Sequence, residues 1–333
     1  MNWQDHKVLI TGADGFIGSQ LAEALVDAGA DVTALSLYNS FGGRGWLDNT
    51  SPERRNRMRH VSGDIRDPHQ MMALVVGQDV VFHLAALIAI PYSYDAPGSY
   101  VDTNVHGTLN LLTAAREAGV SRFIHTSTSE VYGSAQFTPI TEAHPLQGQS
   151  PYSASKIGAD VMATAFYNSF ELPVVTLRPF NTYGPRQSER AVIPTIIRQA
   201  LDPNCETIRL GDLTPTRDFN YVGDTVTGFL AAAAVKDAEL GQTFNCGSGR
   251  MVSIGEVAQT ILKHTDCGKP IETDEIRMRP PGSEVMALMA DASAFTAATG
   301  WTPETKLETG LGLTIDWWRA HMANVRPDTG YAI

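Results

Sequence analysis

Three cysteines in 333 residues, Cys205, Cys246 and Cys267, are too few and too far apart for a disulfide framework or a Cys-x-x-Cys metal site. A reducing, cytoplasmic setting is therefore the expectation. The nine histidines form no ligand-spaced pair, so no metal is expected. Basic charge is scarce too. Lys and Arg number 25 against 36 Asp and Glu, and the resulting net charge of −11 disfavours a phosphate backbone, so no nucleic-acid partner is expected. The one basic cluster, Arg54, Arg55, Arg57 and Arg59, follows Ser51-Pro52 and reads as the solvated face of a loop. No apolar run is long enough to cross a bilayer: residues 80–90 are apolar but short and interrupted, and read as a buried parallel strand entering a loop. Met1-Asn2-Trp3 leads straight into a charged segment with no cleavable apolar region, and no membrane partner is expected.

What the chain does contain is an alternation. Short apolar runs at 7–11, 32–35, 80–84, 122–126 and 174–178 are interleaved with helix-length amphipathic stretches at 15–28, 101–118 and 152–170. Strands alternating with helices imply βαβ units with right-handed crossovers, hence an α/β, Rossmann-type doubly wound parallel sheet. No internal repeat or low-complexity tract interrupts it. After Arg178-Pro179-Phe180-Asn181 the rhythm changes, and turn-rich segments (181–188, 210–217, 279–282) separate short strands and helices. The expected organisation is an NAD(P)-binding domain of residues 1–180 plus about 217–246. A smaller α/β substrate lobe, 181–216 plus about 247–333, would close over the carboxyl edge of the sheet, where ligands bind in such folds. Residues 307–321 predict a closing amphipathic helix, with Trp317 and Trp318 as packing residues.

The turn Thr11-Gly12-Ala13-Asp14-Gly15-Phe16-Ile17-Gly18 follows a buried strand and opens a helix. Gly12 permits the tight turn, Gly15 lets backbone approach a pyrophosphate, and Gly18 allows close helix–strand packing. Free N–H groups and the helix dipole then favour phosphate. Asp14, Phe16 and Ile17 belong to the same expected dinucleotide cradle. The second strand ends in Ser36 rather than the acid that usually binds the ribose hydroxyls, and Arg44 is near enough in sequence to meet a 2′-phosphate. NADP is thus at least as plausible as NAD. Asp64 and Ile65, after the third strand, are candidates for the adenine edge, with a plain loop acid as the competing reading.

Tyr152 and Lys156 stand four apart in Pro151-Tyr152-Ser153-Ala154-Ser155-Lys156, on one helical face. A neighbouring ammonium favours phenolate, which predicts a lowered tyrosine pKa and a general base suited to an alcohol.

These features stand in one order with Asn104 in Asn-Val-His-Gly-Thr, Ser127 in Thr-Ser-Thr-Ser-Glu-Val-Tyr-Gly, and Arg178-Pro-Phe-Asn181-x-Tyr-Gly-Pro. Together they resemble the extended short-chain dehydrogenase/reductase family over nearly the whole chain. That family contains NAD(P)-dependent nucleotide-sugar epimerases, dehydratases and decarboxylases, typically dimers packed through two helices per subunit. The resemblance implies a tightly bound, recycled NAD or NADP, a nucleotide-sugar substrate and a homodimer. It adds Leu84, Ala85, Ala86, Asn104, Ser127 and Pro179, beside Tyr152 and Lys156, to the expected cofactor site.

Thr128-Ser129-Glu130-Val131-Tyr132-Gly133 looks like the form found in nucleotide-sugar 4,6-dehydratases, in which an acid at the position of Glu130 removes the C5 proton. Ser129 departs from the glucose-type dehydratases, which carry an Asp there for the leaving hydroxyl. The segments 87–94, 145–152 and 217–222 resemble LegB-type UDP- or GDP-N-acetylglucosamine 4,6-dehydratases. On this resemblance Thr128, Ser129, Glu130, Tyr152 and Lys156 are the catalytic candidates. Ser93, Thr128, Asn181, Ile193, Arg217 and Arg279 are the substrate candidates, with guanidinium forks suited to phosphate. Alternatives that remain open are UDP-glucuronate decarboxylation, C4 epimerisation and a non-catalytic NADP-binding sensor.

Overall fold

The computed structural model describes residues 1–278 and 280–322. The first half runs β1 (Lys7–Thr11), α1 (Phe16–Asp27), β2 (Asp31–Leu37), α2 (Pro52–Asn56), β3 (Met58–Gly63), α3 (Pro68–Val75) and β4 (Val80–His83). Then come α4 (Ile90–Asp95), α5 (Pro97–Tyr100), a π-helical turn at Val101–His106, α6 (Gly107–Ala118), β5 (Arg122–Thr126), α7 (Pro151–Phe170) and β6 (Val174–Pro179). The second half begins with β7 (Asn181–Tyr183), α8 (Val192–Leu201), β8 (Ile208–Leu210), β9 (Thr216–Tyr221), α9 (Val222–Ala233) and β10 (Thr243–Cys246). It ends with β11 (Met251–Ser253), α10 (Ile254–Thr265), β12 (Ile271–Thr273), α11 (Ser293–Thr299) and α12 (Leu307–His321).

Seven strands form one parallel sheet in the order β10-β6-β5-β4-β1-β2-β3. Its inner strands are buried on both sides, which is why they read as continuous apolar runs rather than alternating ones. Leu21 and Leu25 of α1, Val226 and Phe229 of α9 and Phe295 of α11 cover one face. Met71 and Leu74 of α3, Leu111 and Leu112 of α6 and Phe166 of α7 cover the other. Strand order reverses between β1 and β4, so the switch point lies where Gly12 follows β1 and Leu84 follows β4.

The smaller lobe holds a three-stranded sheet, β11-β9-β7, and the pair β12-β8, packed by α8, α10 and α12 through Ile196, Ile261, Ile315 and Trp318. Trp317 packs edge-on against Trp46, ring centroids 5.4 Å apart. Two segments lie differently from the sequence expectation. β9 pairs with β7 and β11, and its Phe219 joins the small lobe's core, so the return to the large sheet starts at α9 rather than near residue 217. α11 goes back to the first lobe, because Phe295 and Trp301 pack into the core against α9 and β10. Nor is the arginine cluster a loop. Arg54 and Arg55 lie on α2, Arg54 chelates the Asp27 carboxylate at 2.9 and 2.6 Å, and Arg57 donates to the Val26 carbonyl.

Candidate active site

The glycine-rich turn fits a dinucleotide. Gly12 has φ +68°, and a Cβ there would lie 2.8 Å from the Ala85 nitrogen across the switch point. A Cβ on Gly18 would fall 2.1 Å from the Gly12 carbonyl oxygen, so only glycine lets α1 start this close to β1. Gly15 stands at the N-cap of α1 and offers no side-chain cap, and the first turn carries no acid, which leaves the leading N–H groups available to an anion. Leu84, Ala85 and Ala86 continue from β4 beside this turn, and the Thr11 hydroxyl holds the Ala85 N–H at 3.2 Å. Pro179 ends β6 on the same edge of the sheet.

The Tyr152–Lys156 pair is placed by the start of α7. Ser150 caps the helix by accepting from Ser153 N–H at 3.1 Å, and Ser153 Oγ accepts from Ser150 N–H at 3.0 Å. This reciprocal box, with Pro151 at the first position, fixes Tyr152 in the opening turn. Lys156 is buried, and its Nζ donates to the Thr126 carbonyl at the end of β5 at 2.6 Å. Burial pulls the ammonium down to about 8, against the pull of Asp160 in the other direction.

The tyrosine does not behave as the pairing alone predicts. Burial pushes the phenol well above the ordinary tyrosine value; the hydrogen bond with Thr128 lowers it in part, while the negative charge of Glu130 raises it further. Desolvation dominates, so the phenol lies above its ordinary value, opposite to the lowering expected from the Tyr152–Lys156 spacing. Thr128 also accepts from the Glu130 N–H at 3.2 Å, opening the short 3₁₀ turn Ser129–Tyr132 that carries Glu130. Thr128 and Glu130 both act on the Tyr152 phenol. Ser129 is buried beneath the turn at 2% exposure, away from solvent.

Behind this face lies a polar hub absent from the sequence reading. Asp160 accepts from His125 at 2.9 Å, from Ser127 at 2.6 Å and from Arg178 at 3.2 and 3.0 Å. Burial raises its carboxyl, but these donors outweigh burial and hold it below the usual range. Burial lowers the His125 pKa, so at neutral pH the ring donates as a neutral imidazole through Nε2. Arg178 reaches on to the Tyr132 hydroxyl at 2.9 Å, which donates to Asn245 at 2.7 Å. The spacing of Tyr152, Lys156 and Asp160, each four apart, was the signal that could have found the hub.

Several candidates have other duties. Asn104 is buried with its amide clamped on the Leu87 backbone at 2.8 and 2.9 Å and on Ser155, so it positions the loop after β4 rather than offering a side chain to a cofactor. The Ser127 hydroxyl is committed to Asp160. Ser93 is fully buried and donates to the Ile90 carbonyl at 2.6 Å, inside α4 and out of a ligand's reach. Ile193 is core in the small lobe, 1% exposed. Asp64 is held by the Arg66 guanidinium at 3.0 Å. Arg217 is ion-paired to Glu284 at 2.9 Å. Asn181 Oδ1, by contrast, is buried without a hydrogen-bond partner, as a residue awaiting a polar ligand would be. Arg279 lies outside the described residues. Among the described residues no group of three His, Cys, Asp or Glu is placed to hold a metal, and no helix is long and apolar enough to cross a membrane.

A doubly wound parallel sheet, a glycine turn at its switch point and a Tyr/Lys pair at its carboxyl edge define an extended short-chain dehydrogenase/reductase. Within that class, the profile described as GDP-mannose 4,6 dehydratase matches residues 9–314, and the chain belongs to this family of nucleotide-sugar enzymes. It is 34% identical over 317 residues to the low-salt glycan biosynthesis protein Agl12 of Haloferax volcanii, covering 93% of this chain and 98% of that one. It is also 34% identical over 319 residues to a UDP-glucose 4-epimerase of Mycolicibacterium smegmatis, covering 94% and 98%. Among solved structures, DesIV, a dTDP-glucose 4,6-dehydratase of Streptomyces venezuelae with NAD and TYD bound, superimposes with a TM-score of 0.84 at 31% identity, covering 95% of this chain and 98% of that one.

Proposed function

We propose that this protein is an NAD(P)-dependent hydro-lyase, a 4,6-dehydratase of UDP- or GDP-linked N-acetylglucosamine. The observation that carries the reading is the convergence of Glu130 and Thr128 on the Tyr152 phenol, beside a buried Lys156. A sensor has no use for a base, and C4 epimerisation has no use for a carboxylate there. NAD or NADP, when bound, supplies the hydride acceptor at C4, the donor at C6 and, in its oxidised form, a positive charge near the phenol.

Tyr152 takes the C4 hydroxyl proton as that carbon is oxidised, while Thr128 hydrogen-bonds O4. The 4-ketone acidifies C5–H, and Glu130 removes that proton and returns it to the hydroxyl leaving C6 as water. The proton held by Tyr152 replaces, through solvent, the one lost from C5. The product is a 4-keto-6-deoxy sugar nucleotide, and the cofactor ends each turnover as it began. Ser129, buried beneath the turn, supports Glu130 rather than acting as an acid. Asn181, Arg217 and Arg279 are assigned to the nucleotide's phosphates. Arg217 therefore exchanges Glu284 for phosphate. The active species is a cytoplasmic homodimer.

The test is to give purified protein UDP-N-acetylglucosamine, GDP-N-acetylglucosamine, UDP-glucuronate and UDP-glucose and to weigh the products. Loss of one water from an acetamido sugar is the expected result. Loss of carbon dioxide points to decarboxylation, an isobaric product to epimerisation, and no product to a sensor. Glu130→Gln should abolish water loss yet still permit C4 oxidation, seen as transiently reduced cofactor; near-normal dehydration by that variant would remove Glu130 from its role.

A further inference from the structure

β2 ends without a carboxylate of its own. Ser36 occupies the last buried position, and its Oγ is buried without a hydrogen-bond partner. The acid at this strand end arrives from the glycine-rich turn instead: Asp14 Oδ2 accepts from the Leu37 N–H at 3.3 Å. Backbone contacts hold Asp14 there, with Ala13 N–H donating to the Leu35 carbonyl at 3.1 Å and Trp46 N–H donating to the Asp14 carbonyl at 3.0 Å. The segment that cradles the pyrophosphate thus also delivers a carboxylate to the strand end where the adenosine ribose lies in this fold.

We propose that Asp14 recognises the adenosine ribose and selects NAD over NADP, taking the part that position 36 has given up. The inference rests on the dinucleotide reading above. A carboxylate accepts hydrogen bonds from the ribose hydroxyls, whereas a 2′-phosphate would meet it as a like charge at contact distance. Arg44 is the competing group. It is exposed, its charge acts on His60 of β3, and its own N–H is tied to the Asp48 carboxylate at 2.8 Å, so a phosphate brought to it meets a second acid.

The experiment titrates NADH and NADPH separately into wild type, Asp14→Asn and Arg44→Ala, after exchange of any retained nucleotide and with no sugar nucleotide present, following nicotinamide fluorescence. Wild type should bind NADH at least tenfold more tightly than NADPH. Asp14→Asn, which keeps an acceptor for the Leu37 N–H, should lose tenfold or more of that preference, and Arg44→Ala should keep it. As a second measurement needing no variant, nucleotide released from freshly purified protein by acid should have the mass of NAD. A wild-type preference for NADPH, an unchanged preference in Asp14→Asn, or released NADP overturns the proposal and leaves the dinucleotide reading standing. Binding of neither nucleotide overturns both.

Discussion

Replacing Lys156 by Met isolates the energetic strain at the centre of the site. The ammonium is buried against the Thr126 carbonyl and pulled from 10.5 to about 8. At ~1.4 kcal/mol per pH unit, that depression amounts to about 3 kcal/mol held against folding while the group is charged. Below about pH 8 the lysine is protonated in both folded and unfolded chains, so the full cost is present and constant. Between about 8 and 10.5 the folded chain has released its proton and the unfolded chain has not; unfolded chains then bind more protons, and stability rises with pH. Lys156→Met cannot show that rise. At pH 7 the variant escapes the charge penalty but leaves the Thr126 carbonyl unpaired at a cost of about 1–3 kcal/mol, so it should be as stable as wild type or up to about 2 kcal/mol more so. By pH 10.5 wild type should have gained about 3 kcal/mol on it. Tyr152 is present in both proteins, so the stability lost as the unfolded phenol ionises near 10 cancels in the comparison. The assay is urea unfolding without cofactor from pH 7 to 10.5, read by tryptophan fluorescence and far-UV circular dichroism with coincident transitions required. A difference between the two proteins that stays flat across that range, or one that moves in favour of the variant, would refute the reasoning.

Two further predictions concern the frame around this lysine. Gly18→Ala places a methyl 2.1 Å from the Gly12 carbonyl oxygen, so α1 must shift; we expect about 1–3 kcal/mol lost in urea unfolding and NADH binding abolished in the fluorescence titration. Asp160→Asn leaves the Arg178 guanidinium buried without its anion, which should cost about 3–5 kcal/mol in the same unfolding assay. A loss below 1 kcal/mol would mean that the hub is not electrostatically closed.

The parts of this molecule legible in its sequence are those dictated by local rules. Strands buried on both faces have to read as unbroken apolar runs, and β4 and β6 do. A turn that brings a helix against its own strand has to be glycine at Gly12 and Gly18, since no side chain fits there. Tyr152 and Lys156 share a face because four residues are about one helical turn. What sequence did not disclose depends on contacts between distant segments. Asn104 and Ser127 look like cofactor ligands, yet their partners Leu87, Ser155 and Asp160 use up their hydrogen bonds. Ser93 resembles a substrate contact until the packing of α4 seals it. β9 stands where the sequence predicts the return to the large sheet, but the small lobe's core claims Phe219 first. The direction of the tyrosine shift is set by burial, because spacing reports which charge is near, not how much water has been removed.

The carboxyl edge of the sheet holds buried polar atoms that the protein itself does not satisfy, and this bears on what the site is for. Ser36 Oγ near the end of β2, Thr126 Oγ1 at the end of β5 and Asn181 Oδ1 just beyond β6 are all buried side-chain atoms without a partner. Each such group costs about 1–3 kcal/mol unless something hydrogen-bonds it. The Asp160 hub, by contrast, gathers His125, Ser127, Tyr132 and Asn245 around one carboxylate and its arginine. The open groups along the edge stand beside an uncapped helix start, a depressed lysine and an elevated phenol. A dinucleotide that hydrogen-bonds any of these edge atoms binds the folded chain and not the unfolded one, so its binding should raise the stability of the fold as well as equip it for chemistry.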